Sequence, residues 1–177
     1  LAVEANATVN AESFKGLLGI ENPNFRNSDK AIFANIESTE INRLTTNGYK
    51  TNKTGFEFGT KFEFYDDFKL GFSTRSYYEK IETDSTASAR QKAQKGNYWD
   101  TFINTSFDYD KRNQRFKPDD GFRSRLSVDL PVLSETYTLT NAYSYQKFTS
   151  FYENNISSIS FYFEHANSIK GDDIKLS

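Results

Sequence analysis

Side chains that commonly carry out chemistry are few in this sequence, and they are not grouped. His165 is the only histidine and cysteine is absent, so neither a histidine-pair metal site, a thiolate site nor a conventional Ser-His-Asp triad can be assembled. Adjacent aspartates at 66–67, 119–120 and 172–173 lie in stretches of turn composition. General acid–base catalysis needs two groups that converge on one substrate. We therefore predict no catalytic, metal-binding or cofactor-binding residue, and no enzyme.

One of these stretches predicts a defined backbone geometry. It is the turn formed by Pro118, Asp119, Asp120 and Gly121. Proline presets φ for a tight reversal, the aspartates can accept backbone N–H bonds, and the glycine can take a positive φ. We favour this structural role for the four residues over a calcium-binding or catalytic one.

Apolar and polar residues alternate along most of the chain. In residues 55–64, GFEFGTKFEF, four phenylalanines occupy even positions, while glycine and charged residues occupy the odd ones. Successive side chains of a β-strand point to opposite faces, so this pattern predicts a strand with one aromatic and one polar face. Nine segments of this kind are present, without a convincing helix: 1–9, 13–21, 31–38, 55–64, 68–81, 99–110, 121–131, 137–148 and 157–166.

The connections between these segments differ in length. Residues 65–67 form a tight turn, whereas 39–52 and 82–97 are long and polar. If the strands run up and down, both long connections fall at one end of the sheet and the tight turn at the other, which is typical of outer-membrane barrels. The connections 23–30 and 112–121 fall at the same end as the tight turn and are longer than that layout favours.

Length and charge set further bounds. The 177 residues are enough for one domain, and residues 1–177 are predicted to belong to a single β-barrel domain without an internal boundary. The net charge is −2, and cations are interleaved with anions, so no nucleic-acid partner is expected. The chain contains no methionine and begins within an alternating segment, so we expect it to be a processed or excised piece.

Two architectures explain the alternation. A soluble barrel or sandwich points its phenylalanines inward, whereas a membrane barrel points them to lipid and encloses a polar lumen. Glycines on the polar positions favour the membrane barrel, because a crowded interior requires small residues. Tyrosines near strand ends are typical of interfacial girdles, and His165 is interpreted as an interfacial side chain. These glycines and tyrosines are Gly55, Gly59, Gly71, Tyr77, Tyr78, Tyr98, Tyr143 and Tyr145.

Residues 107–131, FDYDKRNQRFKPDDGFRSRLSVDLP, resemble a strand, turn and strand in the barrel of BamA-type proteins, the outer-membrane β-barrel assembly factors. In that family a strand end that carries Asp and Arg, here Asp110 and Arg112, leads into a Pro-x-Asp-Gly turn and a strand ending in Pro. The segments 15–25, 54–82 and 161–177 are similar to further barrel strands of the family. The resemblance implies an all-β, antiparallel, up-and-down transmembrane β-barrel that is incomplete, with about strands three to eleven of a larger even-numbered barrel.

The resemblance also implies a function. A BamA-type protein folds and inserts β-barrel proteins into the bacterial outer membrane, and its partners are the lipid bilayer, unfolded outer-membrane protein clients and accessory assembly lipoproteins. The family's periplasmic domains, lateral gate and sixth-loop motif would lie outside this sequence, so only the turn residues can be carried over. Two alternatives stay open: an outer-membrane porin for small solutes, and a soluble β-barrel that binds an apolar ligand.

Overall fold

The chain folds as one antiparallel sheet. The computed structural model describes residues 1–135, 137–152 and 155–171, which contain nine strands that pair in sequence order. All-β, up-and-down topology is therefore confirmed, and every predicted segment lies at least mostly within a strand. The strands are β1 (Ala2–Val9), β2 (Ser13–Asn22), β3 (Lys30–Arg43), β4 (Tyr49–Tyr65), β5 (Phe68–Thr83), β6 (Gly96–Asp110), β7 (Gly121–Leu133), β8 (Thr138–Tyr152) and β9 (Asn155–Ser168).

Helical structure is confined to short connections. A 3₁₀ turn spans Phe25–Asn27, and two short helices follow, α1 (Leu44–Asn47) and α2 (Ala89–Ala93). Helix α2 begins with a capping box, in which Ser88 and Gln91 satisfy each other's backbone N–H groups. Among the described residues, no helix has the length and apolar character needed to cross a membrane.

The sheet has two chemically different faces. Residues directly opposite each other in an antiparallel pair project to the same side, so the register joins Gly59 to Ser73, Asn104 and Asp129 in one row across four strands. We call this side the polar face. The opposite side, the apolar face, carries the phenylalanines of β4.

Exposure shows which face is sheltered. The large apolar side chains of the apolar face are open, with Phe56 44%, Phe72 43%, Leu126 38% and Phe161 57% exposed. On the polar face the side chains of Thr51, Ser73, Glu79, Asp100 and Asn104 are each at most 9% exposed. The aromatic rings thus do not pack into a closed interior, which contradicts the arrangement of a soluble barrel.

One predicted connection is wrong. Residues 39–52 were expected to form a long loop, but β3 continues to Arg43 and β4 begins at Tyr49. These strand ends carry polar residues on both faces, with a Lys50 Nζ–Glu40 Oε1 ion pair of 2.8 Å, so the alternation that identifies a strand is lost there.

The predicted difference in loop length between the two ends of the sheet is also wrong. We name the first rim by its connections 44–48 and 84–95, and the second rim by 66–67 and 111–120. The two long connections among these, 84–95 and 111–120, lie at opposite rims. Each rim therefore combines a short and a long connection, and loop length does not orient the sheet.

The tyrosines are divided between the faces. Tyr78 lies on the apolar face, with its ring centroid 6.3 Å from that of Trp99, and Tyr145 lies on the same face near the second rim. Tyr77 and Tyr98, which were also predicted to belong to an interfacial girdle, lie on the polar face instead. Adjacent residues of a strand cannot both face lipid.

Candidate functional site: the polar face of the sheet

The middle of the polar face is organised around a stripe on β4. It consists of Lys53, Gly55, Glu57, Gly59 and Lys61, which occupy alternate positions and read the same in both directions. The stripe is therefore symmetric in residue type about Glu57, with β3 on one side of β4 and β5 on the other.

Each glycine of the stripe makes room for an aromatic ring from a neighbouring strand. Tyr77 of β5 lies over Gly55, and Phe33 of β3 lies over Gly59. A Cβ atom at Gly55 would be 2.3 Å from Cδ1 of Tyr77, and one at Gly59 would be 2.7 Å from Cζ of Phe33. In each case the Nζ atom of the neighbouring stripe lysine is 4.5 Å from the ring centroid. The glycines are thus explained by a crowded polar face, as the sequence predicted.

Glu57 links the two halves of this arrangement. Its carboxylate accepts a hydrogen bond of 2.6 Å from Oγ of Ser73 and one of 3.2 Å from Nδ2 of Asn35. The two donors belong to β5 and β3, so a single side chain holds three strands together on the polar face.

A second network extends across β5, β6 and β7. Arg75 reaches over β6 to form an ion pair with Asp129 on β7. Asn104 of β6 is 9% exposed, and its Nδ2 atom donates hydrogen bonds of 2.8 Å to both Asp129 and Ser127. We call Arg75, Asn104, Ser127 and Asp129 the mid-wall network; it fixes the register of three strands through side chains as well as through the backbone.

Replacing Asp129 by Asn should lower the free energy of unfolding by about 1–2 kcal/mol, because the shape is kept while the charge that pairs with Arg75 is lost. The measurement is urea unfolding of the full-length protein in lipid vesicles. Asp66→Asn is the matched control, since Asp66 lies exposed in the turn after β4. Equal effects of the two substitutions would contradict a bracing role for Asp129.

The second rim carries a cluster of five charged side chains. Arg123 grips Asp108 with two hydrogen bonds of 2.9 and 2.5 Å, and Arg125 adds a longer contact of 3.3 Å to the same carboxylate. Arg112 forms the same kind of bidentate contact with Asp110, with two hydrogen bonds of 2.7 Å. This pairing raises the pKa of Arg112. We call these five residues the rim cluster.

The predicted turn residues lie beside the rim cluster, at the end of the connection that precedes β7. Asn113 closes this connection: its Oδ1 atom accepts hydrogen bonds of 3.3 Å from the backbone N–H groups of Asp119 and Asp120. Pro118 precedes these two residues, and Gly121 has the expected positive φ, +94°. The contribution of Asn113 was missed, because it lies five residues before Pro118 and nothing in the local pattern links the two.

A polar cavity of about 480 Å³ lies between this connection and the turn after β4. Its wall combines four residues of the rim cluster, Asp108, Asp110, Arg112 and Arg123, with Glu63, Asp67, Lys69, Asn113, Gln114 and Arg115, so four acids face four bases. Within the described parts of the chain, no group of three or more acidic or histidine side chains is placed to hold a metal ion. The cavity is a recess in the wall whose lining carries charges of both signs.

Comparisons with known proteins identify a family and a similar solved structure for this sheet. The Omp85 superfamily domain matches residues 1–177. The chain belongs to the Omp85 superfamily. Its fold is similar to the crystal structure of BamA from Haemophilus ducreyi lacking POTRA domains 1–3, with a TM-score of 0.76 and 14% sequence identity. The match covers 97% of this chain and 36% of that one, so the chain spans about a third of the solved protein. No curated protein sequence matches.

Within an Omp85 barrel the apolar face meets lipid. Rings near the second rim are in contact along it: Tyr109 lies 6.2 Å from Phe68 and 5.6 Å from Phe122, between ring centroids. His165 lies on the same face, stacked on Phe163 at 6.4 Å between ring centroids; its interfacial position stays a prediction. Of the aspartate pairs, 66–67 forms the turn between β4 and β5, whereas Asp172 and Asp173 lie outside the described residues.

At the first rim, the connection 84–95 of this Omp85 domain folds over the polar ends of β4 and β5. Asp84 holds its first turn, because its carboxylate accepts hydrogen bonds from the side chain and backbone of Thr86, of 2.6 and 2.7 Å. These bonds lower the pKa of Asp84 below its ordinary value of 3.8. Its charge therefore helps to order the connection.

Connection 84–95 should become more mobile at low pH. A carboxylate whose pKa is lower in the folded than in the unfolded state stabilises the folded state fully above its unfolded-state pKa. This stabilisation is lost as the pH falls through its folded-state pKa. We expect no change from pH 7 to about 5, and increasing mobility below the lowered pKa of Asp84. A spin label on Ala93→Cys reports the mobility, and Asp84→Asn should remove the acid step. A step that persists in that variant would contradict the assignment.

Proposed function

We propose that this chain is the central wall of an assembly factor that folds and inserts β-barrel proteins into the bacterial outer membrane. Support comes from the Omp85 superfamily match over the whole chain, together with a wall whose apolar face suits lipid and whose opposite face carries charged and hydrogen-bonded side chains. The superfamily match carries the proposal. The role is not enzymatic, since nothing in it requires a covalent step.

In this role the wall acts by being rigid. A barrel inserts clients by offering an exposed strand edge, onto which an incoming hairpin pairs through backbone hydrogen bonds. The edge opens only if strain is not absorbed elsewhere in the barrel. The Glu57 contacts and the mid-wall network tie β3 to β7, so these strands resist separation while another part of the barrel opens.

Partners follow from the same role. The lipid bilayer contacts the apolar face, unfolded outer-membrane proteins are the clients, and accessory lipoproteins assist from the periplasmic side. Balanced charge along the polar face suits transient contact with unfolded chains of varied sequence, because a face of one sign would bind oppositely charged segments tightly.

Depletion of the full-length protein in its native host tests this proposal. Other outer-membrane barrels should decrease and accumulate as unfolded forms, which heat-modifiable gel migration distinguishes from folded ones. A plasmid copy of the intact gene should restore them. If barrel levels stay normal while uptake of small solutes falls, the protein is a channel and the proposed function is wrong.

A further inference from the structure

A small pocket opens at the first rim, away from the charged recess of the second rim. Its volume is about 240 Å³. Not one of its six lining side chains is charged, although 26% of the residues of the chain are. The lining residues are Asn47, Tyr49, Thr51, Ile81, Gln91 and Gln94.

The pocket is held open by contacts between the two connections of the first rim. The backbone N–H of Asp84 donates a hydrogen bond of 2.9 Å to the carbonyl oxygen of Gly48. Ala87 is 5% exposed and packs against Gly48, where a Cβ atom would lie 2.4 Å from its backbone nitrogen. Gly48 also has a positive φ of +74°. These contacts hold connection 84–95 against connection 44–48, so the pocket between them forms without a ligand.

Several polar groups in the pocket keep hydrogen-bonding capacity to spare. Asn47 has no side-chain hydrogen bond within the described part of the chain. Gln91 uses its Oε1 atom to accept the N–H of Ser88 at 2.9 Å, which leaves its NH₂ group available. The hydroxyl of Tyr49 accepts a 3.3 Å hydrogen bond from Arg43, so its own hydrogen can be donated.

The composition of the lining selects one class of ligand. An ion would lose its hydration without gaining an opposite charge, and an apolar molecule would leave the amides and hydroxyls unpaired. A neutral molecule with several hydroxyl groups carries no charge to be desolvated and can pair with the amides and hydroxyls of the lining. Amide side chains both donate and accept hydrogen bonds, as adjacent hydroxyl groups require. Ile81, 5% exposed, and the ring of Tyr49 offer apolar surface to the C–H groups of such a molecule.

We propose that this pocket binds one sugar unit of a neutral glycan. Its volume is below the roughly 300 Å³ at which sites for drug-sized ligands begin, so a single ring fits and the remainder of the glycan stays outside. The proposal goes beyond the assembly role and does not depend on it.

Saturation-transfer NMR on the full-length protein tests this site. The protein is held in a zwitterionic detergent without a sugar head group, since a glucoside or maltoside would compete. The probes are glucose, galactose and N-acetylglucosamine, with glucuronate and cyclohexanol as charged and apolar comparators. At least one neutral sugar should bind saturably in the low millimolar range, and neither comparator should. Absence of saturable binding by all three sugars, or equal binding of glucuronate, would overturn the proposal.

Two substitutions locate the binding. Asn47→Leu removes an amide, and Thr51→Val removes a hydroxyl while keeping the shape of a side chain that is 6% exposed. Each should weaken sugar binding by about tenfold, as expected for the loss of one or two hydrogen bonds. Asn97→Leu is the matched control, because Asn97 is exposed on β6 outside the pocket and should leave affinity unchanged. Unchanged affinity in Asn47→Leu and in the isosteric Thr51→Val would place the sugar elsewhere and overturn the assignment.

Discussion

Replacing Phe58 by Arg should lower the free energy of unfolding of the full-length barrel by about 2–4 kcal/mol, the cost of a guanidinium near the bilayer midplane. Phe58 lies in the aromatic run of β4 and is 54% exposed on the apolar face. In a soluble sheet an open side chain of this kind would tolerate arginine, because its charge would be hydrated. The size of the effect therefore measures whether lipid covers this face.

The measurement is urea unfolding in vesicles, followed by loss of heat-modifiable migration. Phe116→Arg is the matched control: the same side chains are exchanged at a position that is 90% exposed in the connection of the second rim, where the free energy of unfolding should change by less than about 0.5 kcal/mol. Similar effects at both positions would mean that the apolar face does not meet hydrocarbon.

The sequence predicts the strands well because each strand of a barrel wall separates two media. Along β4 the alternation of phenylalanine with glycine or charge is imposed residue by residue, so it can be recognised locally. Up-and-down order follows, since consecutive strands joined by short connections pair with each other. The same argument explains the failure at residues 39–43 and 49–52, where polar residues lie on both faces and the alternation is lost.

The contacts of the polar face could not be predicted in the same way. Arg75 and Asp129 are 54 positions apart, and their pairing depends on the register of two strand pairs, β5 with β6 and β6 with β7. A displacement of one residue would have moved either side chain to the other face. The sequence therefore predicts that a polar face exists and that its glycines relieve crowding, but not which residues brace it.

The turn before β7 could be predicted from the sequence only in part. Proline and glycine at 118 and 121 predict a reversal from local rules, and of its features the structure has the positive φ of Gly121, +94°. The closing residue, Asn113, is found only in the folded loop, because its role depends on how the connection 111–120 curls back on itself.

Gly121→Ala should lower the free energy of unfolding by about 2–3 kcal/mol, more than a positive φ alone would cost. A Cβ atom at this position would lie 2.1 Å from the carbonyl oxygen of Lys111 and 2.9 Å from Cα of Arg112. Both are backbone atoms, so no side-chain rotation can relieve the contact. Relief requires the two strand ends to separate, which breaks the 2.8 Å hydrogen bond from the N–H of Lys111 to the carbonyl of Phe122 and disturbs the rim cluster beside it.

Gly171→Ala separates the two contributions. Gly171 has a similar positive φ of +81°, but a Cβ atom there would have no neighbour within 4 Å. Its substitution should therefore lower the free energy of unfolding by only about 1 kcal/mol, the cost of a positive φ for alanine. Because the clash is specific to the base of connection 111–120, the Gly121 variant should also show faster proteolysis at Arg115 and Lys117, whereas the Gly171 variant should not. Equal losses of stability in the two variants, with intact protection of the connection, would show that the close backbone approach at Gly121 does not exist in the membrane.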